Sequence, residues 1–279
     1  MEDLAGKIAV VTGGAAGIGR GIVGALLDEG CRVVIADIEA PVLTETVAEL
    51  SERGDVRGVL CDVSDPASVE VLAHEVYGEY GACHVLWNNA GVTSGGGGNP
   101  WEQEPNDWRW CFGVNVFGTA NGVLEFVPRM IAGDEAGVVV TTSSGDGGIA
   151  PVPYASVYAS SKAAISCFTE ALAHQFVTQK TKLSAAVFYP SGGLLETGLW
   201  EAQRNRPADR RRRPRRARPV RGPGGEGRPV RDQPQPRVRR RTAARPGRRH
   251  RPGEAAALGP RGSHVSNAPA PAPMTGGTP

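Results

Sequence analysis

The five cysteines of this chain, Cys31, Cys61, Cys83, Cys111 and Cys167, include no C-x-x-C pair and are odd in number, so neither a disulfide framework nor a cysteine metal site is expected. They read as buried, reduced thiols of a cytoplasmic protein. The five histidines (74, 84, 174, 250 and 264) show no ligand spacing, and no metal is expected. No apolar run approaches the roughly 20 residues needed to span a membrane. The first strand pattern begins at residue 7, which excludes a secretory leader from this reading.

The sharpest absence is regional. Residues 201–279 contain no Lys, Ile, Phe, Tyr, Trp or Cys, and one Leu, Leu258. They carry 21 Arg and 5 acids, a net of +16. That leaves 10 of the chain's 31 basic and 24 of its 29 acidic residues in 1–200, a net of −14 hidden under the formal +2. A segment of this composition cannot bury enough apolar surface to offset chain entropy, so a disordered Arg/Pro/Gly-rich tail is expected. Pro207, Pro214, Pro219, Pro223 and Pro229 oppose any long helix. Arginines suit an anionic surface or nucleic acid. No aromatic is present to stack on bases, however, and nucleic-acid binding is the weaker reading.

Residues 1–200 read differently. Strand patterns at 7–12, 31–36, 56–61, 84–88, 137–142 and 183–188 alternate with helical patterns at about 18–29, 40–53, 66–80, 105–131 and 157–179. This βαβ rhythm predicts an α/β fold: one doubly wound parallel sheet in a single Rossmann-type domain, with ligands beyond the strand C-termini. No internal repeat appears beyond that rhythm.

The first strand runs into Gly13-Gly14-Ala15-Ala16-Gly17-Ile18-Gly19, and a helical pattern follows. Glycines there let a backbone approach a pyrophosphate, and the helix start supplies free N–H groups and a positive dipole end. The second strand ends at Asp37, 18 residues after Gly19. An acid at that place accepts hydrogen bonds from ribose hydroxyls and repels a 2′-phosphate, so NAD is expected over NADP. Arg20 is the one cation placed to face a phosphate.

Tyr158 and Lys162 stand four residues apart, on one face of the last predicted helix. A phenol is a poor acid–base group at neutral pH. A fixed ammonium beside it is expected to favour the phenolate. Only Tyr158, and not Tyr154, has a Lys four residues later.

Thr12-Gly13-x3-Gly17-x-Gly19, Asp62-Val63, Asn88-Asn89-Ala90-Gly91, Asn115, Ser144 and Tyr158-x3-Lys162 follow one another in an order that resembles the short-chain dehydrogenase/reductase family over about residues 5–200. The resemblance implies reversible hydride transfer between a nicotinamide cofactor and a small alcohol or ketone. It implies Tyr158 as general acid/base and Lys162 as the group that lowers the Tyr158 pKa and binds the nicotinamide ribose. Ser144 then holds the substrate oxygen, and Asn115 supports a proton relay toward Lys162. It further implies that Asn88 to Gly91 shape the cofactor pocket, with Asp62 and Val63 toward the adenine. Pro190 begins the segment that covers the nicotinamide.

Ser144 lies 14 residues before Tyr158, one longer than the family spacing, and Ser143 is the neighbouring choice. Strand alternation turns Ser143 to the other face, which favours Ser144. Gly95 to Gly98 read as a loop at the pocket mouth. Trp101, Trp108 and Trp110 read either as an apolar lining or as helix-to-core packing. Tyr189 to Thr197 resembles the segment after the sixth strand, with Pro190-Ser191-Gly192 in place of the usual Pro-Gly.

Past Glu201 the resemblance stops. A shifted reading frame in GC-rich DNA would produce such a change and is the favoured reading of the tail. The closing strand and helices of the family are then missing, and the family-type homo-oligomer is in doubt. Two further readings stand beside the enzyme: a nucleotide-binding but impaired relative, and a nucleic-acid-associated protein using the tail.

Overall fold

The computed structural model describes residues 3–93, 98–152 and 155–190. The readings placed on Gly95 to Gly97, Tyr154, Ser191 to Thr197 and the 201–279 tail lie outside the described residues. Six strands form: β1 Ile8–Thr12, β2 Arg32–Asp37, β3 Val56–Leu60, β4 Val85–Asn88, β5 Gly137–Thr142 and β6 Leu183–Phe188. All pair in parallel, in the order β3-β2-β1-β4-β5-β6. This is the doubly wound Rossmann arrangement, and its order reverses between β1 and β4.

Among the described residues, six helices and one short turn, α6, connect the strands: α1 Gly17–Asp28, α2 Ala40–Leu50, α3 Pro66–Tyr80, α4 Pro105–Phe112, α5 Gly118–Ala132, α6 Gly145–Gly148 and α7 Ser156–Thr178. Strand alternation divides the core into two layers. Ala9, Val11, Val33, Ile35 and Val85 pack under α1 and α2 with Ile22, Val23, Leu26, Leu27, Leu43 and Leu50. Val10, Val34, Leu86 and Val139 face the other way, against Leu72 and Val76 of α3, Phe126 and Met130 of α5 and Phe176 of α7. Because both faces are covered, β1 is buried at every residue, which explains its unbroken apolar run.

The sequence predicts one helix over 105–131. The structure instead inserts a π turn, Gly113–Phe117, between α4 and α5. Gly113 and Gly118 keep right-handed helical angles, so the extra residue enters without breaking the chain's course. Asn115 on this turn is fully buried.

At the opposite end of the sheet, the Ile8 N–H donates to His84 Nδ1 at 3.0 Å, and His84 Nε2 lies 3.0 Å from Glu135 Oε2. That pairing makes Nε2 the protonated nitrogen and ties the starts of β1 and β4 to the turn before β5. No helix among the described residues is long and apolar enough to cross a membrane. No group of three metal-ligating side chains forms among them.

Candidate active site

The glycine-rich turn leaves β1 at Gly13, whose φ is +61° and whose position admits no Cβ, since one would lie 2.7 Å from Ala90 Cα. A Cβ on Gly19 would overlap the Gly13 carbonyl and Asn89 Nδ2, so a side chain there would push α1 off the turn. Gly17 opens α1, also at positive φ (+53°), and Ile18 packs against the α1–α2 layer. The first N–H groups of any helix lack intrahelical acceptors. Here Ala16 offers no side chain to cap them, and no acid stands in the first turn. An anion is the partner such an end suits.

Asp37, at the end of β2, is held by two backbone donors. Ala15 N–H donates to Oδ2 at 3.0 Å and Glu39 N–H to Oδ1 at 3.1 Å. Its charge is therefore fixed beside the turn. Arg20 is ion-paired with Glu49 of α2.

Beyond β3, Asp62 Oδ1 accepts from Ser64 N (2.9 Å) and Ser64 Oγ (2.7 Å). The Val63 carbonyl accepts from Asn121 of α5 at 2.9 Å. The segment after β4 is fastened to the turn after β1. Thr12 Oγ1 accepts from the Asn89 and Ala90 N–H groups at 3.0 and 3.1 Å. Asn89 Nδ2 donates to the carbonyls of Thr12 and Gly13 at 3.1 and 3.0 Å. Turn and segment thus form one rigid wall of the crevice between β1 and β4.

On the other wall stand the candidate catalytic groups. Lys162 Nζ, buried, donates to the Thr142 carbonyl at 2.9 Å and lies 5.6 Å from the centre of the Tyr158 ring. A Cβ on Gly91 would come within 3.4 Å of both Lys162 Nζ and Asn115 Oδ1, so the chain after β4 passes directly against both. The Ser144 side chain is the neighbour that favours ionisation of the Tyr158 phenol. Ser143 turns the opposite way, into contact with Ser166 Oγ (2.7 Å) and the Lys162 carbonyl (3.2 Å). Pro190 follows β6 on the same side of the sheet, the last described residue.

Burial sets the electrostatics of this wall. It drives Lys162 down from the ordinary lysine value to about 8. Burial also pushes Tyr158 up, against the pull of the Ser144 side chain, with the Asp146 and Cys111 charges adding to the rise. The expectation that Lys162 lowers the Tyr158 pKa is therefore not met in this geometry. The ammonium is tied to Thr142, 5.6 Å from the centre of the phenol ring, and is itself driven toward the neutral form.

Asn115 is spent on a local network. Its Oδ1 accepts from the Val92 N–H at 2.8 Å, and its Nδ2 donates to the Val92 carbonyl (3.0 Å) and Ser161 Oγ (2.9 Å), with Cys111 Sγ at 3.3 Å. The Ser161 hydroxyl donates in turn to the Tyr158 carbonyl at 2.7 Å. This chain of bonds couples the segment after β4 to the first turn of α7. Ser161, Thr142 and the Thr12 hydroxyl escaped sequence reasoning as working parts. Ser161 sits inside the Tyr158-x3-Lys162 string, yet no pattern of residue types distinguishes it from an ordinary helix serine. Ser161→Ala is expected to destabilise the fold by about 1–2 kcal/mol, because Asn115 loses an acceptor in a dry site. Urea midpoints of the two proteins check this, and equal midpoints would contradict it.

Trp101, Trp108 and Trp110 are 80%, 37% and 53% exposed. The helix-to-core packing reading is thereby corrected: the buried face of α4 is carried by Cys111, and the indoles point outward. A hollow of about 180 Å³ lies at the far ends of β5 and β6, lined by Met130, Asp134, Lys182 and Leu183 among others. None of the candidate residues borders it.

A family model described as short chain dehydrogenase matches residues 7–207. The C alpha-dehydrogenase of Sphingobium sp. is 35% identical over 211 residues, which cover 75% of this chain and 67% of that protein. A solved short-chain dehydrogenase/reductase from Burkholderia phymatum, in complex with NAD, aligns at a TM-score of 0.69 and 38% identity, over 79% of this chain and 76% of its own. A metagenomic short-chain oxidoreductase in complex with NADP aligns at 0.62 and 29% identity, over 68% of this chain and 84% of its own. Sequence and fold agree, and the chain belongs to the short-chain dehydrogenase/reductase family of NAD(P)-dependent oxidoreductases.

Proposed function

We propose that this chain interconverts a small secondary alcohol and its ketone with NAD(H), using Tyr158, Ser144, Lys162 and Asn115. The observation that carries the reading is the convergence of the Tyr158 phenol, the Ser144 hydroxyl and the buried Lys162 ammonium on one wall of the crevice, opposite the glycine-rich turn. A dinucleotide fits that crevice. The uncapped, acid-free start of α1 suits its pyrophosphate, Asp37 suits a ribose, and Gly91 brings the chain after β4 directly against Lys162. When bound, the nicotinamide supplies or accepts the hydride.

The residues divide the remaining work. Tyr158 gives a proton to the substrate oxygen in reduction and takes it back in oxidation. Ser144 donates to the same oxygen and stabilises charge developing there. Lys162, held by Thr142 and poised near pH 8, binds the nicotinamide ribose and keeps positive charge near the phenol in its protonated form. Asn115 holds the Val92 backbone and, through Ser161, the start of α7, the geometry a proton relay toward Lys162 requires.

NAD is the proposed cofactor. Asp37 sets a fixed negative charge where a 2′-phosphate would lie, and the Arg20 guanidinium is neutralised by Glu49. None of the five cysteines is in a disulfide, and four of them are buried, which supports a cytoplasmic location.

Thermal unfolding with each cofactor tests the reading. NAD at 100 times its dissociation constant is expected to add about 2.7 kcal/mol of stability, with NADP adding less at the same concentration. Asp37→Ala should close the gap between the two. A cooperative transition that neither cofactor moves, or one that NADP moves more, would overturn it.

A further inference from the structure

The four-residue turn α6 carries a charge that the reaction outlined above does not use. Asp146 lies two residues beyond Ser144, and its N–H donates to Ser144 Oγ at 3.2 Å, the same side chain that acts on the Tyr158 phenol. Its carboxylate is exposed and makes no ion pair or hydrogen bond among the described residues. The segment is also anchored. Gly147 has a φ of +87°, and a Cβ there would overlap the Ala159 carbonyl, so this turn sits directly on α7 beside Tyr158. The Gly147 N–H donates to the Ala150 carbonyl at 2.7 Å and closes the turn. A carboxylate without a charge partner among the described residues is thus held next to Ser144 and Tyr158, the pair proposed above to receive the substrate oxygen.

We propose that Asp146 selects substrate by charge, favouring neutral or cationic alcohols and ketones over anionic ones. The proposal rests on the assignment of Tyr158 and Ser144 made above and adds the class of substrate. The charged and titratable groups acting on the Tyr158 phenol are Asp146 from α6 and Cys111 from α4, and Lys162 Nζ of α7 lies 5.6 Å from the centre of its ring. Asp146 and Cys111 both favour the neutral phenol, so the Asp146 field reaches the reacting oxygen. A carboxylate carried on a substrate would meet that field too. Exposure weakens such an interaction and makes it sensitive to salt.

Three probes with one reacting group test this: acetophenone, 4-acetylbenzoate and (4-acetylphenyl)trimethylammonium, reduced with NADH by the full chain. Wild type is expected to reduce the cation and the neutral ketone in preference to the anion. Asp146→Asn should raise the anion-to-neutral ratio of kcat/KM by about threefold at low ionic strength, and Asp146→Lys should raise it further. The gain should shrink in strong salt. The pH profile supplies a readout that a merely structural role would not move. In Asp146→Asn the basic form of Tyr158 should appear at lower pH in oxidation of 1-phenylethanol.

A ratio unchanged in both variants, or a pH profile that does not move, would overturn the proposal while leaving the Tyr158 reading intact. Absence of turnover of all three probes by wild type would count against that underlying reading, and this inference falls with it.

Discussion

Tyr158→Phe is expected to lower kcat by about 10³-fold while NAD still raises the melting temperature to the wild-type extent. The substitution removes one oxygen. Its ring stays half-buried over Lys162, and the bonds that hold the wall are left in place: Lys162 to Thr142, Asn115 to Val92 and Ser161 to the residue 158 carbonyl. Fold and cofactor site should therefore survive. Only the proton that must pass to or from the substrate oxygen is lost, along with the phenol's interaction with Ser144. A fall in kcat with little change in cofactor affinity separates a chemical role from a packing role. A variant retaining wild-type kcat would mean that another group moves the proton.

Lys162→Met should raise stability while abolishing turnover. Lys162 is only 4% exposed, and burial takes its pKa from the ordinary 10.5 to about 8. That displacement corresponds to about 3 kcal/mol of unfavourable burial at neutral pH. Losing the hydrogen bond to the Thr142 carbonyl returns about 1 kcal/mol, so the variant should be about 2 kcal/mol more stable at pH 7.

The pH dependence has a definite sign. Between about 8 and 10.5 the unfolded chain holds the proton that the folded chain has shed, so wild-type stability rises with pH through that window. Below it both states are protonated and the full penalty stands. Lys162→Met should lack this rise, and its advantage should fade toward pH 10. Urea midpoints at pH 7 and pH 10 decide the matter. A variant less stable than wild type, with an unchanged pH slope, would show that the ammonium is not a strained charge. A stabilising loss of function is the pattern expected where a fold tolerates a buried charge for its chemistry.

Most of the sheet was legible because β1, β2 and β4 are short apolar runs buried on both faces, and such runs admit few alternatives. The glycine-rich turn was legible because positive φ at Gly13 and Gly17 and the close approach at Gly19 demand glycine. Alternation along β5 also oriented the two serines beyond it, with Ser143 toward Ser166 and Ser144 toward Tyr158.

Other features depend on contacts between distant segments. The π turn at Gly113–Phe117 adds one residue to a helical period and hardly alters the apolar pattern. The sign of the Tyr158 shift depends on how far burial outweighs neighbouring charge, which residue spacing does not encode. The Asn115–Ser161 bond joins residues 46 apart. The tryptophans of α4 read equally as an apolar lining or as core packing, because size and apolarity alone do not say which face of a short helix is covered.

Deuterium transfer is the measurement to make on the intact chain. Acetophenone is reduced with NADH carrying deuterium at the hydride position, and the alcohol is examined by mass spectrometry beside the same reaction with Tyr158→Phe. Hydride transfer at this site predicts one deuterium on the carbinol carbon with wild type and almost no product with the variant. Product without deuterium, or equal labelled product from both proteins, would contradict it.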